Sequence, residues 1–390
     1  MTFTLPIPTP KVEGLPKDVA PLAVQRAAVI GAGTMGGGIA MCFAEAAIPV
    51  TILDQSEEAL RAGLGLVRSN WEASAKKGKI SLEQVEARMA LVRGATTYDD
   101  EGIKDADVVV EAAFERMAVK KAIFAALDEA TKPECLLATN TSTLSVDEIA
   151  LSTRRPTSVV GMHFFSPANV MPLLENVAAS ESSPQAIATA MALGKRLRKK
   201  TVLARNCFGF IGNRMLEPYV REAAFLVEEG ATIEQVDAVL QQLGMAMGPF
   251  TMGDLAGNDI GYNIRIDNGW DTLWAARRGQ RYWGTLADVL VYRGRKGQKT
   301  KAGWYDYPKG RKPVRSAVVD EMVTEVSNML GIERRAITDD EILDRCMLPL
   351  VNEGFRIVGE GIAQRESDLN IVYIYGCGRL CSLARMAHPA

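Results

Sequence analysis

The chain uses histidine at only two of its 390 positions, and one of them, His163, lies in the segment GMHFFSP. Three interpretations fit it: a core histidine bonded to a backbone carbonyl, a metal ligand, or a proton-transfer group. Alcohol oxidation needs a base, because hydride leaves carbon while a proton leaves oxygen, and histidine titrates near neutrality. Glu175, twelve residues further on, suits a carboxylate that orients such a ring, although taken alone it also fits a solvated strand end.

Hydroxyl and amide groups that hold the reacting oxygen are the second requirement. The segment TNTST supplies Asn140 and Ser142 directly after the apolar run CLLA, and Asn213 opens a helical pattern in FGFIGNRML. Ligands of open α/β sheets bind at the carboxyl ends of strands, where Asn140 and Ser142 are predicted to lie. Each of these residues is also common in turns and helix caps, and that alternative stays open.

A glycine-rich loop between a predicted strand and helix indicates a dinucleotide site. In VIGAGTMGGGIA the first glycine allows a tight turn, the second lets the backbone approach a pyrophosphate, and the third lets helix and strand pack closely. The start of the helix then faces the phosphates with unpaired N–H groups. The predicted cofactor-binding residues of this loop are Gly31, Gly33, Thr34, Met35 and Gly36.

Asp54 ends the next predicted strand, eighteen residues past Gly36. A carboxylate at this point accepts hydrogen bonds from a ribose 2′-hydroxyl and repels a 2′-phosphate. Gln55 and Ser56 follow it, without an arginine that would bind such a phosphate. The sequence therefore predicts NAD rather than NADP as the cofactor.

A sheet must position these residues, and the sequence predicts one. From about residue 26, the short apolar runs AAVIG, VTILD, ADVVVEAA, CLLATN and SVVGMHFF alternate with helical patterns, which is typical of a doubly wound α/β sheet of the Rossmann type. After about residue 205, amphipathic helices replace the strands. We predict four segments: an extended linker-like segment over 1–25, an NAD-binding Rossmann domain over 26–205, a helical C-terminal domain over 206–310 and a second helical unit over 311–390.

Two stretches of the helical part resemble each other. PYVREAAFLVEEG, residues 218–230, and PLVNEGFRIVGEG, residues 349–361, share the proline, the terminal glycine and four further positions. The match predicts a duplicated helical domain whose second copy is truncated. Such a chain is expected to be a monomer with an internal pseudo-dimer, or a homodimer.

Composition excludes several function classes. The net charge of −2 and the pI near 6.0 argue against nucleic acid or a membrane surface as a partner. Six cysteines without a CxxC pair, and two histidines, offer no zinc ligand set, so no metal is expected. The N-terminal sequence lacks a signal-peptide pattern, and no apolar run reaches about 18 residues, which predicts a cytoplasmic protein.

Six motifs in order resemble the 3-hydroxyacyl-CoA dehydrogenase family: GAGTMGGGIA, ADVVVEAAFE, TNTSTLSV, GMHFFSPANVMPLLE, FGFIGNRML and GPFTMGDLAGND. The resemblance covers about residues 26–307. It implies NAD-dependent, reversible oxidation of (S)-3-hydroxyacyl-CoA to 3-oxoacyl-CoA. It also implies that His163 is the base, Glu175 its partner, and Ser142 and Asn213 the residues at the reacting oxygen.

The resemblance implies further contacts as well. Asn70 and Lys77 match positions that bind the coenzyme A arm of the substrate. Ser166 stands where the family commonly has asparagine, so its shorter side chain changes an expected cofactor contact. The residues expected to touch the cofactor on this ground are Glu115, Lys120, Ser142, Ser166 and Lys299.

The match is closer to the dehydrogenase portion of multifunctional fatty-acid β-oxidation enzymes, without their enoyl-CoA hydratase half. The end of the chain, YGCGRLCSLARMAHPA, departs from the family pattern. With a one-nucleotide shift of the reading frame within Arg379, the permitted codons can encode a continuation that resembles the family pattern. We therefore expect a frameshifted, truncated tail.

Two alternatives stay open. A non-catalytic NAD(H)-binding or structural relative of the family is compatible with a truncated second helical unit. A lysine-based site of the β-hydroxyacid or 6-phosphogluconate dehydrogenase type has a similar glycine loop, but His163 and Glu175 argue against it.

Overall fold

The computed structural model describes residues 12–16 and 18–377, and its N-terminal part contains an eight-stranded sheet. The strand order is β3-β2-β1-β4-β5-β6-β7-β8, and neighbours are parallel except for the antiparallel pair β6 and β7. The predicted α/β fold of the Rossmann type is confirmed. The strands are β1 (Ala27–Ile30), β2 (Val50–Leu53), β3 (Val92–Ala95), β4 (Val108–Glu111), β5 (Leu136–Thr139), β6 (Val159–Phe164), β7 (Leu173–Ala178) and β8 (Lys200–Arg205).

The central strands form from nearly continuous apolar runs. Every residue of β1, β2, β4 and β5 is buried, as expected where helices cover both faces of a parallel sheet. All five apolar runs of the sequence are strands, as predicted. Two strands were not predicted, β3 and β8, because both lie at the edges of the sheet and interrupt their apolar residues with polar or small ones.

Helices connect the strands and carry their own start signals. Helix α3, for example, begins at Ser81, whose side chain and that of Gln84 form a reciprocal capping box. The helices of this part are α1 (Thr34–Glu45), α2 (Glu57–Lys76), α3 (Leu82–Met89), α4 (Glu101–Lys104), α5 (Met117–Ala130), α6 (Val146–Ala150) and α7 (Pro184–Arg196).

The remainder of the described chain is helical, as predicted. Among the helices that the structure describes, none combines the length and the apolar character needed to cross a bilayer. The helices of this region are α8 (Gly212–Glu229), α9 (Ile233–Leu243), α10 (Pro249–Ala256), α11 (Asn258–Asp267), α12 (Thr272–Arg277), α13 (Thr285–Tyr292), α14 (Ala317–Met329), α15 (Asp339–Gly359) and α16 (Glu366–Val372).

The described residues divide into two compact units. The first unit runs up to Arg214 and also includes Phe355–Gly376, while the second unit contains Met215–Gly354. In the first unit the later segment joins the sheet edge, since the amide of Arg205 donates to the carbonyl of Ile362 at 2.8 Å. The domain boundaries predicted after residues 205 and 310 stay predictions.

The two similar stretches of sequence form two long helices of the same kind. Helix α8 contains Pro218 and helix α15 contains Pro349, each inside the helix. A proline inside a helix is uncommon because it removes a backbone donor. Two such helices in one chain agree with the predicted duplication.

Two ion pairs involve residues at equivalent positions in or directly after helices α8 and α15. Arg214 and Arg345 each stand four residues before their proline, and Glu229 and Glu360 each stand eleven residues after it. In the first unit Arg214 donates to both carboxylate oxygens of Glu360, at 2.7 and 2.9 Å. In the second unit Arg345 pairs with Glu229. Each arginine therefore binds the glutamate of the opposite repeat, as expected for two related copies.

The ends of the chain are covered only in part. Over residues 12–16 and 18–25 the chain forms turns and irregular backbone. The linker-like role predicted for residues 1–25 stays a prediction. The remaining positions of that segment, and the suspected frameshifted tail that begins at Arg379, lie outside the described residues.

Candidate active site

The glycine loop lies between β1 and α1, as predicted. Gly31 has a φ of 102°, and a Cβ atom at Gly36 would lie 1.9 Å from the carbonyl oxygen of Gly31. Only glycine fits these two positions. A Cβ atom at Gly33, the residue before α1, would meet no atom within 4 Å, so the space in front of the helix start is open. The loop therefore offers the N–H groups of a helix start to an anion.

Asp54 lies beside this loop, directly after β2. Its carboxylate accepts hydrogen bonds from the amide of Ala32 at 3.0 Å and from that of Ser56 at 3.1 Å. Thr34 and Met35 are the first two residues of α1. The structure thus brings the predicted dinucleotide-binding residues together at the carboxyl end of the first two strands.

His163 and Glu175 face each other across the antiparallel pair β6 and β7. They are direct register partners, and the distance from His163 Nδ1 to Glu175 Oε2 is 2.7 Å. His163 is 5% exposed and Glu175 is wholly buried. The partner of the histidine is therefore a carboxylate and not a backbone carbonyl. The second ring nitrogen, Nε2, makes no hydrogen bond with the residues that the structure describes.

The other oxygen of Glu175 is held by the backbone. Glu175 Oε1 accepts hydrogen bonds from the amides of Ile211 at 3.2 Å and Gly212 at 2.9 Å, where α8 begins. The preceding residues Gly209 and Phe210 have φ values of 74° and 51°, an uncommon conformation for a phenylalanine. Two backbone donors at a helix start therefore hold the carboxylate in place.

Aromatic rings enclose the imidazole. The ring centroid of His163 lies 4.6 Å from that of Phe165 and 5.8 Å from that of Phe210. Phe164 and Phe165 both follow His163 in the sequence, but successive residues of an extended strand point to opposite faces, so Phe165 and not Phe164 contacts the ring. Phe210 was missed because it lies far away in sequence.

Ser142 and Asn213 lie together, as predicted. The side-chain amide of Asn213 donates to the carbonyl of Ser142 at 3.4 Å. The Ser142 hydroxyl makes no hydrogen bond with any described residue, which leaves it available to a ligand. Asn140, two residues earlier, accepts a hydrogen bond from the amide of Phe164 at 2.9 Å. The turn that carries Ser142 is therefore tied to the strand that carries His163.

Glu115 and Lys120 belong to a buried network behind this turn. Glu115 accepts a hydrogen bond from the amide of Ser142 at 2.7 Å. The ammonium of Lys120 is wholly buried and donates to both oxygens of Glu111, at 2.8 and 2.9 Å. Glu111 was missed by the sequence reasoning, although a glutamate at the end of the apolar run VVV, followed by a lysine nine residues later, is a usable signal.

Four further residues were predicted to contact the cofactor or the substrate. Ser166 is exposed, in the loop after β6. Asn70, half-buried in α2, contacts the sulfur of Met41 at 3.9 Å, and Lys77 is exposed at the end of that helix. Lys299 belongs to the second unit, where its ammonium pairs with Asp259 at 2.5 Å. Their predicted contacts stay predictions.

A cysteine near the site is not an activated nucleophile. Burial raises the pKa of the Cys207 thiol, and the guanidinium of Arg214 offsets only part of that rise. A thiol with a raised pKa stays protonated at neutral pH. In the described parts of the chain, no three His, Cys, Asp or Glu side chains are grouped to hold a metal ion.

Comparison with known families and proteins agrees with this geometry. Residues 26–207 match the family described as 3-hydroxyacyl-CoA dehydrogenase, NAD binding domain, and residues 209–307 match its C-terminal domain. The peroxisomal bifunctional enzymes of Homo sapiens and Danio rerio are each 44% identical to this chain, over 93% and 92% of its length. The alignments cover 51% and 50% of those proteins, so the chain spans about half the length of these relatives.

Two solved structures are similar to this chain over most of its length. A 3-hydroxybutyryl-CoA dehydrogenase from Escherichia coli superposes with a TM-score of 0.79 at 27% identity, over 94% of this chain and 91% of that one. The dehydrogenase part of multifunctional enzyme 1 from C. elegans superposes with a TM-score of 0.65 at 30% identity, over 93% of this chain and 82% of that one.

Proposed function

This chain belongs to the 3-hydroxyacyl-CoA dehydrogenase family, and from that premise we propose that it interconverts (S)-3-hydroxyacyl-CoA and 3-oxoacyl-CoA thioesters. The observation that carries the proposal is the 2.7 Å contact between His163 and Glu175, beside the turn of Ser142. The cofactor is NAD, in agreement with the matched NAD binding domain and with the position of Asp54.

His163 is the proposed base. Its Nε2 takes the proton of the 3-hydroxyl group in oxidation, and the same atom returns a proton to the oxygen in reduction. Glu175, on Nδ1, holds the ring in one orientation and stabilises the imidazolium that forms. NAD, when bound, supplies the acceptor for the hydride that leaves C3.

Ser142 and Asn213 are proposed to hold the substrate around the reacting oxygen. Their proximity in the first unit supports this assignment, since the side-chain amide of Asn213 lies 3.4 Å from the backbone carbonyl oxygen of Ser142. Asn70 and Lys77 are proposed for the coenzyme A arm. The proposed cofactor contacts are Gly31, Gly33, Thr34, Met35, Gly36, Asp54, Glu115, Lys120, Ser142, Ser166 and Lys299.

A lysine-based dehydrogenase is disfavoured by the surroundings of Lys120. That ammonium is wholly buried and paired with Glu111, so it cannot remove a proton from a substrate. A non-catalytic relative is the remaining alternative. It would bind NADH without turning it over.

Oxidation of NADH by acetoacetyl-CoA, followed at 340 nm, tests the proposal. We expect turnover that depends on both compounds. NADH binding without turnover would identify the chain as a non-catalytic relative, and loss of NADH binding would refute the cofactor site. A series of acyl-CoA chain lengths then defines the substrate range.

The proposed partner is an acyl-CoA thioester, and the proposed assembly is a monomer with an internal pseudo-dimer or a homodimer. Light scattering distinguishes the two assemblies. We retain a cytoplasmic location as part of the proposal, whereas the two relatives named above are described as peroxisomal. Microscopy of a fluorescent fusion in the source cells tests the compartment.

A further inference from the structure

A buried ion pair joins two elements behind the candidate site. Glu111 is the last residue of β4 and Lys120 lies in α5, and both side chains have no exposed surface. Lys120 Nζ lies 2.8 and 2.9 Å from the two oxygens of Glu111. The same carboxylate accepts hydrogen bonds from the Ala113 amide and the Thr139 hydroxyl, each at 2.7 Å. A buried pair with this many directional bonds fixes the relative positions of its elements.

The pair reaches the Ser142 turn through Glu115. Lys120 Nζ lies 3.4 Å from Glu115 Oε2. The other oxygen, Glu115 Oε1, accepts three hydrogen bonds from the turn: from the Thr141 hydroxyl at 2.6 Å, the Ser142 amide at 2.7 Å and the Thr143 amide at 3.3 Å. The position of the Ser142 backbone therefore depends on a carboxylate that Lys120 holds.

A second connection runs from the pair to the histidine strand. Lys120 Nζ also lies 3.4 Å from the carbonyl oxygen of Asn140, and Asn140 accepts the amide hydrogen of Phe164 at 2.9 Å. Phe164 directly follows His163 in β6. One ammonium group thus links the end of β4, the Ser142 turn and the end of β6.

We propose that the Glu111–Lys120 pair is a positioning device that sets the place of Ser142 relative to His163. The inference rests on the proposed function, because it assumes that these two residues act on one substrate. An ammonium group has three donors, and the described contacts of Lys120 Nζ lead to Glu111, Glu115 and Asn140. Lys120 therefore acts on the reacting groups through Glu115 and Asn140, in addition to the cofactor contact proposed for it above.

Burial also explains why stability alone does not account for the pair. Removing two charges from water costs about as much as their attraction returns, so a buried ion pair is weak evidence for a stabilising role. Removing one partner leaves the other charge unpaired, whereas replacing both leaves none. This difference separates positioning from stability in an experiment.

The test compares Lys120→Met, Glu111→Gln and the double variant with wild type. Lys121→Met is the matched control, because Lys121 lies in the same helix and pairs with Glu148 at the surface. For each protein, kcat and KM with acetoacetyl-CoA, the Kd of NADH, the melting temperature and amide hydrogen exchange of residues 141–143 are measured.

We expect both single variants to melt at lower temperature and the double variant to regain most of that loss. We expect kcat to fall at least tenfold in all three, with faster exchange over 141–143. In Glu111→Gln, which changes no proposed cofactor contact, the Kd of NADH is expected to stay within twofold of wild type. Recovery of kcat together with stability in the double variant would overturn the proposal. A loss of NADH affinity in Glu111→Gln as large as its loss of kcat would overturn it in favour of a role in cofactor binding.

The exchange measurement keeps this inference separate from the proposed function. If wild type and Lys121→Met show no turnover, the proposed function fails. Unchanged exchange over 141–143 in Lys120→Met would refute the positioning role whatever the turnover. Faster exchange in Lys120→Met would show that the pair holds the turn in wild type, even if the proposed function fails.

Discussion

His163 and Glu175 are direct partners in the register of two antiparallel strands, with Nδ1 and Oε2 2.7 Å apart. On the side of β6 that carries the dinucleotide loop, all neighbouring strands from β3 to β6 are parallel. Register partners on neighbouring strands project to the same side of the sheet, so the pairing of β6 with β7 brings the carboxylate next to the histidine. Three predictions concern this site, and a fourth concerns a buried glutamate of the second unit.

Replacing His163 with glutamine removes the proposed base and keeps a polar side chain of similar length. We expect kcat to fall by about a hundredfold to ten-thousandfold, the usual contribution of a positioned acid or base. The Kd of NADH, measured by fluorescence titration, is expected to stay within about threefold, because His163 forms no hydrogen bond with the described residues of the glycine loop. Near-normal turnover would refute the assignment of the base.

Glu175→Gln tests the partner. Glutamine can still accept the amide hydrogens of Ile211 and Gly212, but its NH2 group then faces Nδ1 and favours the wrong tautomer of the imidazole. We expect kcat to fall by about a hundredfold with little change in the KM of acetoacetyl-CoA. If KM rises while kcat is unchanged, Glu175 binds substrate instead of supporting the base.

Gly36→Ala tests the packing of the dinucleotide loop. The added Cβ atom would overlap the carbonyl oxygen of Gly31, so the loop and the start of α1 must move apart. We expect at least a tenfold weaker Kd for NADH. Gly65→Ala is the control: in α2 its Cβ atom would meet nothing within 4 Å, and alanine favours helix by about 1 kcal/mol. Equal NADH affinity in both variants would contradict the role of the loop.

Glu228 makes stability depend on pH. It is wholly buried in the second unit, and burial raises its pKa from 4.5 to about 7, against the opposing effect of Arg281. Its Oε1 atom has no hydrogen-bond partner in the described structure. The folded form binds the proton more tightly than the unfolded form, so this group's contribution is fully present below pH 4.5 and is lost as pH rises through about 7.

Urea unfolding of Glu228→Gln measures this contribution. Glutamine is neutral throughout, so the decrease in the free energy of unfolding between about pH 5 and pH 8 should become smaller by about 1–3 kcal/mol. Glu229→Gln is the contrasting control. Burial would raise the pKa of Glu229, but Arg345 and Arg281 lower it overall, so that variant should lose stability at neutral pH. An unchanged pH profile in Glu228→Gln would contradict the assignment.

The sequence predicted the elements that depend on local composition. Buried apolar runs identify the central strands, and the glycine spacing identifies the loop, because both have a local physical cause. The edge strand β3, with the sequence VRGA, was not predicted because Arg93 and Gly94 interrupt its apolar pattern. The pairing of His163 with Glu175 was predictable only once the segment after His163 was taken as a neighbouring strand.

Contacts between distant segments were harder to predict. Phe210 reaches the imidazole because the turn before α8 places it there, and no periodicity of the sequence indicates that turn. Glu111 has its role because β4, α5 and the end of β5 meet around one ammonium group. The roles of such residues depend on their spatial contacts, which only the complete fold determines.

The ion pairs Arg214–Glu360 and Arg345–Glu229, each formed between the two similar parts of the chain, have a consequence for how their residues can change. In a symmetric dimer of identical chains, one codon specifies both copies of an interface residue, so every substitution occurs twice. A chain that carries both copies escapes this constraint. Asn213 precedes the first arginine at the candidate site, whereas Asp344, an exposed residue, precedes the second. Because separate codons specify Asn213 and Asp344, a substitution at one of these positions leaves the other unchanged.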